Sequence, residues 1–176
     1  MIGVRSLRDL NACSRQAFLA ALAGVFEDSP WVAAAVVDGR PFASPPALHT
    51  AMVEAVRRAD PQAQLQLLRA HPDLAGRLAS AGRLTEASTA EQQSAGLDRL
   101  DEATLARFLA LNETYHTRFG FPFIVAVRGL DVAEILERFE ARLANPVEVE
   151  RATALKEVAK IARMRLEATL EHPWAG

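Results

Sequence analysis

His71 is followed by a proline, and this pairing is the first place in the sequence where chemistry can be located. Proline lacks an N–H and disfavours helical geometry in the residue before it, so His71 is pushed out of a helix and held at a joint between two segments. An imidazole with an ordinary pKa of about 6.5 can take or give a proton near neutrality. A histidine that merely ends a helix has the same neighbours, so within His71-Pro-Asp-Leu-Ala-Gly76 both readings stand. Ser88 and Glu91 form a second pair: Ser-x-x-Glu is the capping-box pattern, and spacing alone favours that structural role. Asn112 and His116 fall inside the apolar stripe of a helix opening at Asp101, where each is either a satisfied core or rim group or a substrate contact. Arg165 lies in the middle of the apolar arc of the last helix. Its guanidinium stays charged, so it must meet an anion or reach solvent, and a buried ion pair and a site for a carboxylate ligand fit equally. A histidine, a carboxylate, an amide and an arginine are the groups that hold a small polar anion and move its protons.

The elements that must position these groups read as helix after helix with proline punctuation. Phe18, Leu22, Val25 and Phe26 have the i, i+4, i+7, i+8 spacing of one amphipathic face. Ser29-Pro30 is expected to cap a helix from Trp31 to Val37, closed by Asp38-Gly39. Pro45-Pro46 opens a segment through Leu48, Met52 and Val56, and Asp60-Pro61 opens another through Leu65 and Leu68 into His71. Asp73 can cap a short helix ending near Gly82. A longer helix from Asp101 to about Arg118 carries Leu105, Phe108, Leu109, Tyr115 and Phe119 on its core side. Asp131 caps Val132 to Leu143, and after Asn145-Pro146 a final helix of roughly Val147 to Leu170 buries Leu155, Val158, Ala162 and Leu166. The run Phe121 to Val127 breaks the helical pattern. It has the composition of a buried strand but no second strand to pair with, so its backbone groups need a side chain, a water or a polar ligand. The fold class is therefore all-α, a single compact multi-helix domain over 1–176 with one short extended apolar segment near residues 121–127.

Composition excludes several functions. Half of the 176 residues are hydrophobic, enough for a sizeable core, and a net charge of -2 gives no basic footprint for nucleic acid. Cys13 is the only cysteine, and His49, His71, His116 and His172 have no metal-ligand spacing, so no metal is expected. Ala17 to Phe26 is apolar and follows Arg5, Arg8 and Arg15, but it is too short to span a bilayer and runs into Glu27-Asp28 where a cleavage site would need small residues. A soluble cytoplasmic protein without a membrane partner is expected.

Several separated motifs, in order, resemble the 2-oxo-4-hydroxy-4-carboxy-5-ureidoimidazoline (OHCU) decarboxylases of urate breakdown. They are Glu27-Asp-Ser-Pro-Trp31, Arg40-Pro-Phe42, His71-Pro-Asp-Leu-Ala-Gly76, Ser88-Thr-Ala-Glu-Gln92 running into Ala95-Gly-Leu97, Leu111-Asn112 with Tyr115, Phe119-Gly-Phe-Pro-Phe-Ile124, and Ile161-Ala-x-x-Arg165-Leu166. The resemblance implies an all-helical enzyme, commonly a homodimer, that needs neither cofactor nor metal and converts OHCU to (S)-allantoin and CO2. It implies that His71 is the catalytic acid/base, with Glu91 beside it in the catalytic set and Pro72 lining the pocket. Ser88, Thr89, Ala90, Glu91 and Gln92 would bind substrate, Glu91 and Gln92 through its ring and ureido groups. Phe123, Ile124, Val125, Ala126 and Val127 would supply backbone contacts, and Arg165 would face the substrate's charge. Eukaryotic members can end in a peroxisomal tripeptide, whereas this chain ends Trp174-Ala175-Gly176, so the resemblance favours a prokaryotic cytoplasm.

The residues suit that chemistry on physical grounds. Loss of CO2 leaves an electron pair, and the imidazoline C=N bond is a sink for it, so pyridoxal or thiamin is not required. The competing readings are a non-catalytic helical binding module, with His71 a helix end, Glu91 a cap and Arg165 an ion-pair partner, and a different cofactor-independent decarboxylase or hydrolase acting on a ureido acid.

Overall fold

The computed structural model describes residues 6–76 and 82–170. Among them the regular elements are nine α-helices and one 3-10 turn, with no strand. The chain divides into two compact units, Met1–Leu67 with Ala159–Gly176, and Leu68–Val158.

The first unit contains α1 (Leu7–Ala12), α2 (Arg15–Leu22), α3 (Trp31–Val36), a 3-10 turn (Val37–Gly39), α4 (Pro45–Arg58) and most of α5 (Pro61–Ala70). Side-chain oxygens start these helices: Ser14 accepts the Ala17 N–H, Ser44 that of Ala47 ahead of Pro45-Pro46, and Asp60 those of Gln62 and Ala63. Ser29 does not act in this way. Pro30 occupies the cap position of α3 with no side-chain bond, and the Ser29 carbonyl accepts the Val32 N–H at 3.2 Å. Helix α2 stops at Leu22, yet Phe18, Leu22, Val25 and Phe26 are all buried, so the apolar face continues through non-helical chain. In the Arg40-Pro-Phe42 motif, Arg40 Nε donates to the Val37 carbonyl at 2.8 Å and Nη1 to that of Cys13 at 2.7 Å, tying off two element ends. Asn11 brackets Phe42 by donating to its carbonyl and accepting its N–H, both at 2.9 Å.

The second unit contains α6 (Glu86–Ser94), α7 (Glu102–Phe119), α8 (Val132–Leu143) and the first part of α9 (Val147–Thr169). Asp101 caps α7 through the Thr104 N–H, and Gly120 ends it at φ 75°, a left-handed conformation in which glycine carries no Cβ penalty. Asp131 caps α8 as expected, and Glu134 adds to it the return bond of a reciprocal capping box. Tyr115, buried on α7, packs edge-on against Phe121, Phe123 and Phe139, while Phe123 and Phe139 stack at 3.9 Å. Leu109, expected on the core side, is 40 % exposed, and Leu155 is half-buried while its neighbour Ala154 is fully buried. The seven residues Phe121 to Val127 are buried and non-helical, and form no strand. The short helix expected to end near Gly82 falls on residues 77–81, outside the described residues. No helix among the described residues is long and apolar enough to cross a membrane.

Candidate active site

Helix α5 ends at Ala70, and the His71 N–H still bonds the Leu68 carbonyl at 3.2 Å before Pro72 turns the chain away. His71 is 8 % exposed, so the ionisable ring of the first candidate residue lies inside the protein. The chain beyond it is held residue by residue. Gln92, buried on α6, accepts the Ala75 N–H through Oε1 at 2.9 Å and donates Nε2 to the Asp73 carbonyl at 3.1 Å. Asn112 on α7 donates to the Leu74 carbonyl at 3.0 Å, and one turn further on His116 Nε2 meets the Asp73 carboxylate at 2.7 Å. The Asn112 Oδ1 has no donor among the described residues.

That clamp holds an unfavourable backbone. Ala75 sits at φ 50°, in the left-handed region, at a cost of about 1–2 kcal/mol for a residue with a Cβ. Each clamping bond contributes a net of about 0.5–1.5 kcal/mol, so the set from Gln92, Asn112 and His116 outweighs the strain. Gly76 completes the turn, where a Cβ would lie 2.6 Å from that of Asp73, so only glycine fits. Strained backbone held by several side chains is characteristic of functional loops. The motif spacing of His71 to Gly76, Gln92 and Asn112 thus has one shared physical cause.

Helix α6 corrects one expectation. Thr85, not Ser88, is the N-cap: its hydroxyl accepts the Ser88 N–H at 3.2 Å, so Ser88 is the third helical residue and is buried. Glu91 is consequently in the helix interior, with no capping-box role. Thr89 donates its hydroxyl back to the Thr85 carbonyl at 2.9 Å, and Ala90 is exposed.

The run 121–127 answers the question of its unpaired backbone in part. Arg142 Nη1 donates to the Ile124 carbonyl at 2.6 Å, Glu157 Oε2 accepts the Ala126 N–H at 2.8 Å, and the Val127 carbonyl accepts the Leu130 N–H at 3.0 Å. Arg142 is itself fixed by Glu150, a fully buried carboxylate that accepts from Arg142 Nε at 2.7 Å, from Asn145 at 2.9 Å and from the Tyr115 hydroxyl. Burial, reinforced by the Glu150 charge, pushes the Tyr115 phenol far above its ordinary pKa, so it stays protonated and donates. Glu150 and Glu157 were missed on reading the sequence, although the helical wheel that singles out Arg165 puts both in the same arc as Ala154, Val158 and Ile161.

Arg165 belongs to the other unit, where Nη1 pairs with Glu27 Oε2 at 2.5 Å, both side chains buried, and donates to the Gly24 carbonyl at 3.3 Å. The ion pair explains the Glu27 end of the Glu27-to-Trp31 motif. His49, one of the histidines without metal-ligand spacing, contacts the Ala159 carbonyl at 2.8 Å through Nε2. No group of three or more His, Cys, Asp or Glu side chains placed to hold a metal ion occurs among the described residues.

The family model for OHCU decarboxylases matches residues 11–167. This chain belongs to that family. The OHCU decarboxylase of Halalkalicoccus jeotgali is 44% identical over 162 residues, covering 92% of this chain and 90% of that protein. That of Amia calva is 41% identical over 167 residues, covering 95% of each. A crystal structure of (S)-allantoin synthase superposes with a TM-score of 0.77 at 31% identity, covering 94% of this chain and 54% of the other. The clamped His71 loop, the α6 segment and the buried 121–127 run therefore belong to an OHCU decarboxylase-type fold.

Proposed function

We propose that the chain catalyses cofactor-free decarboxylation of OHCU to (S)-allantoin and CO2 in urate breakdown, with His71 as acid/base. The observation that carries the reading is the His71 loop: a buried imidazole ahead of a strained turn that three side chains hold in place. A general acid/base must be positioned before it is tuned. In this reading the substrate's carboxylate leaves as CO2, the bonding pair passes into the ring C=N, and His71 handles the proton that fixes the configuration of the product. Glu91 and Gln92 would take the ring and ureido groups with Ser88, Thr89 and Ala90 along the same helix, and Pro72 would line the pocket. Phe123 to Val127 would offer main-chain contacts, and Arg165 would meet the carboxylate. The family pattern also supports a cytoplasmic homodimer, a state that sedimentation velocity checks.

The test is circular dichroism on freshly generated OHCU. Spontaneous decay gives racemic allantoin and no signal, whereas the enzyme should produce a chiral signal of the (S) product at a rate proportional to its concentration. Absence of both acceleration and enantiomeric excess would leave the non-catalytic binding module as the better reading.

Glu91 allows a finer test now that Thr85 holds the cap. Glu91→Gln keeps length and helix propensity and removes only the charge. Stability should move by no more than about 0.5 kcal/mol. If the carboxylate accepts N–H donors of the substrate, kcat/KM should fall at least about tenfold, because a charged acceptor is stronger than an amide oxygen. Wild-type kcat/KM in the folded variant removes Glu91 from the site.

A further inference from the structure

The 121–127 run is gripped along one edge. In extended chain, alternate residues aim their main-chain N–H and C=O groups to the same side. Ile124 and Ala126 are such a pair: Arg142 takes the Ile124 carbonyl at 2.6 Å and Glu157 the Ala126 N–H at 2.8 Å. Phe123 and Val125 belong to the opposite set and are buried. Among the described residues no protein acceptor takes the N–H of either.

We infer that Glu157 is a positioning residue for the decarboxylation: its hold on the Ala126 N–H turns the Phe123 and Val125 main-chain edge toward the substrate. This rests on the reading of 123–127 as substrate-contacting chain. A buried carboxylate is costly, and the neutral amide of glutamine could accept the same bond. What the charge adds is a shorter and stronger bond, hence a more narrowly defined backbone. The ligand such an edge takes is planar and carries both donors and acceptors in one plane, as a ureido-substituted imidazoline does.

The experiment is steady-state kinetics on OHCU with Glu157→Met, Glu157→Asp and Glu157→Gln, each checked for folding by far-UV circular dichroism. Main-chain contacts that bind ground and transition states alike appear in KM and leave kcat unchanged, whereas a partly unfolded sample loses apparent kcat at constant KM. Methionine keeps the side-chain volume and removes the acceptor, so KM should rise at least about tenfold with kcat within about threefold, as loss of binding common to ground and transition states requires. Aspartate withdraws the acceptor by one methylene and should raise KM in the same sense, and it is decisive if the methionine variant does not fold. Glutamine keeps an acceptor and should restore KM to within about threefold of wild type. A folded methionine or aspartate variant with wild-type KM overturns the role of Glu157 and leaves the reading of the site standing, since wild-type turnover is measured alongside. A wild-type protein that does not turn over OHCU overturns both.

Discussion

Replacing His71 with asparagine should leave the protein folded and lower kcat on OHCU by about 10²-fold or more, the usual scale for a positioned acid/base. The loop after His71 is held by Gln92, Asn112 and His116, whose bonds go to Asp73, Leu74 and Ala75. None of these bonds involves the His71 side chain, so their geometry should survive the exchange. Asparagine keeps a polar side chain in the buried space and tolerates turn geometry. The melting temperature should therefore move little while the chiral product signal nearly disappears, and the residual rate should lose the pH dependence that an imidazole imposes. Near-normal turnover by the folded variant would remove His71 from the mechanism, and the strained Ala75 turn would then need another explanation.

Local signals were legible where one residue's oxygen competes for one set of amides. Asp131 is such a place, and α8 runs from Val132 to Leu143 as expected. Ser88 with Glu91 has the capping-box spacing and is not a cap. Thr85 lies three residues upstream and is itself a good N-cap residue, though without a glutamate at the third helical position, so two starts one turn apart compete, and the longer helix gains the extra backbone bonds. Periodicity found Arg165 and Asn112 as buried polar groups on apolar faces, whereas His116, expected in the same stripe as Asn112, is exposed; in no case can it name the partner. Those partners lie far along the chain: Glu27 for Arg165, Leu74 for Asn112, Asp73 for His116. The same limit hid Glu157 and Arg142, which meet the backbone of 121–127 from 31 and 18 positions away. The sequence posed the need for partners at that run and could not say that two of them are charged side chains.

Arg165→Met is expected to destabilise the protein by about 3–5 kcal/mol, the scale for breaking a buried ion pair by removing one partner. The cause is Glu27, which is 3 % exposed and loses the guanidinium that approaches it at 2.5 Å. Stability alone cannot separate this structural contribution from a substrate contact, because the single variant changes both. The second substitution separates them. Glu27→Gln in the Arg165→Met background removes the buried charge that the first exchange leaves behind, and most of the lost stability should return, since replacing both members of a buried pair is often near neutral. Thermal or denaturant unfolding of the wild type, both single variants and the double variant measures the coupling directly. Activity should then part company with stability. If Arg165 also meets the substrate carboxylate, the double variant should fold nearly as well as wild type and still show kcat/KM reduced by at least about tenfold, because a charge-assisted bidentate contact has no substitute in methionine. Glu27→Gln alone should keep most of its activity, since the guanidinium remains. A double variant that recovers both stability and kcat/KM would confine Arg165 to holding Glu27, and the substrate's charge would have to be met by another group.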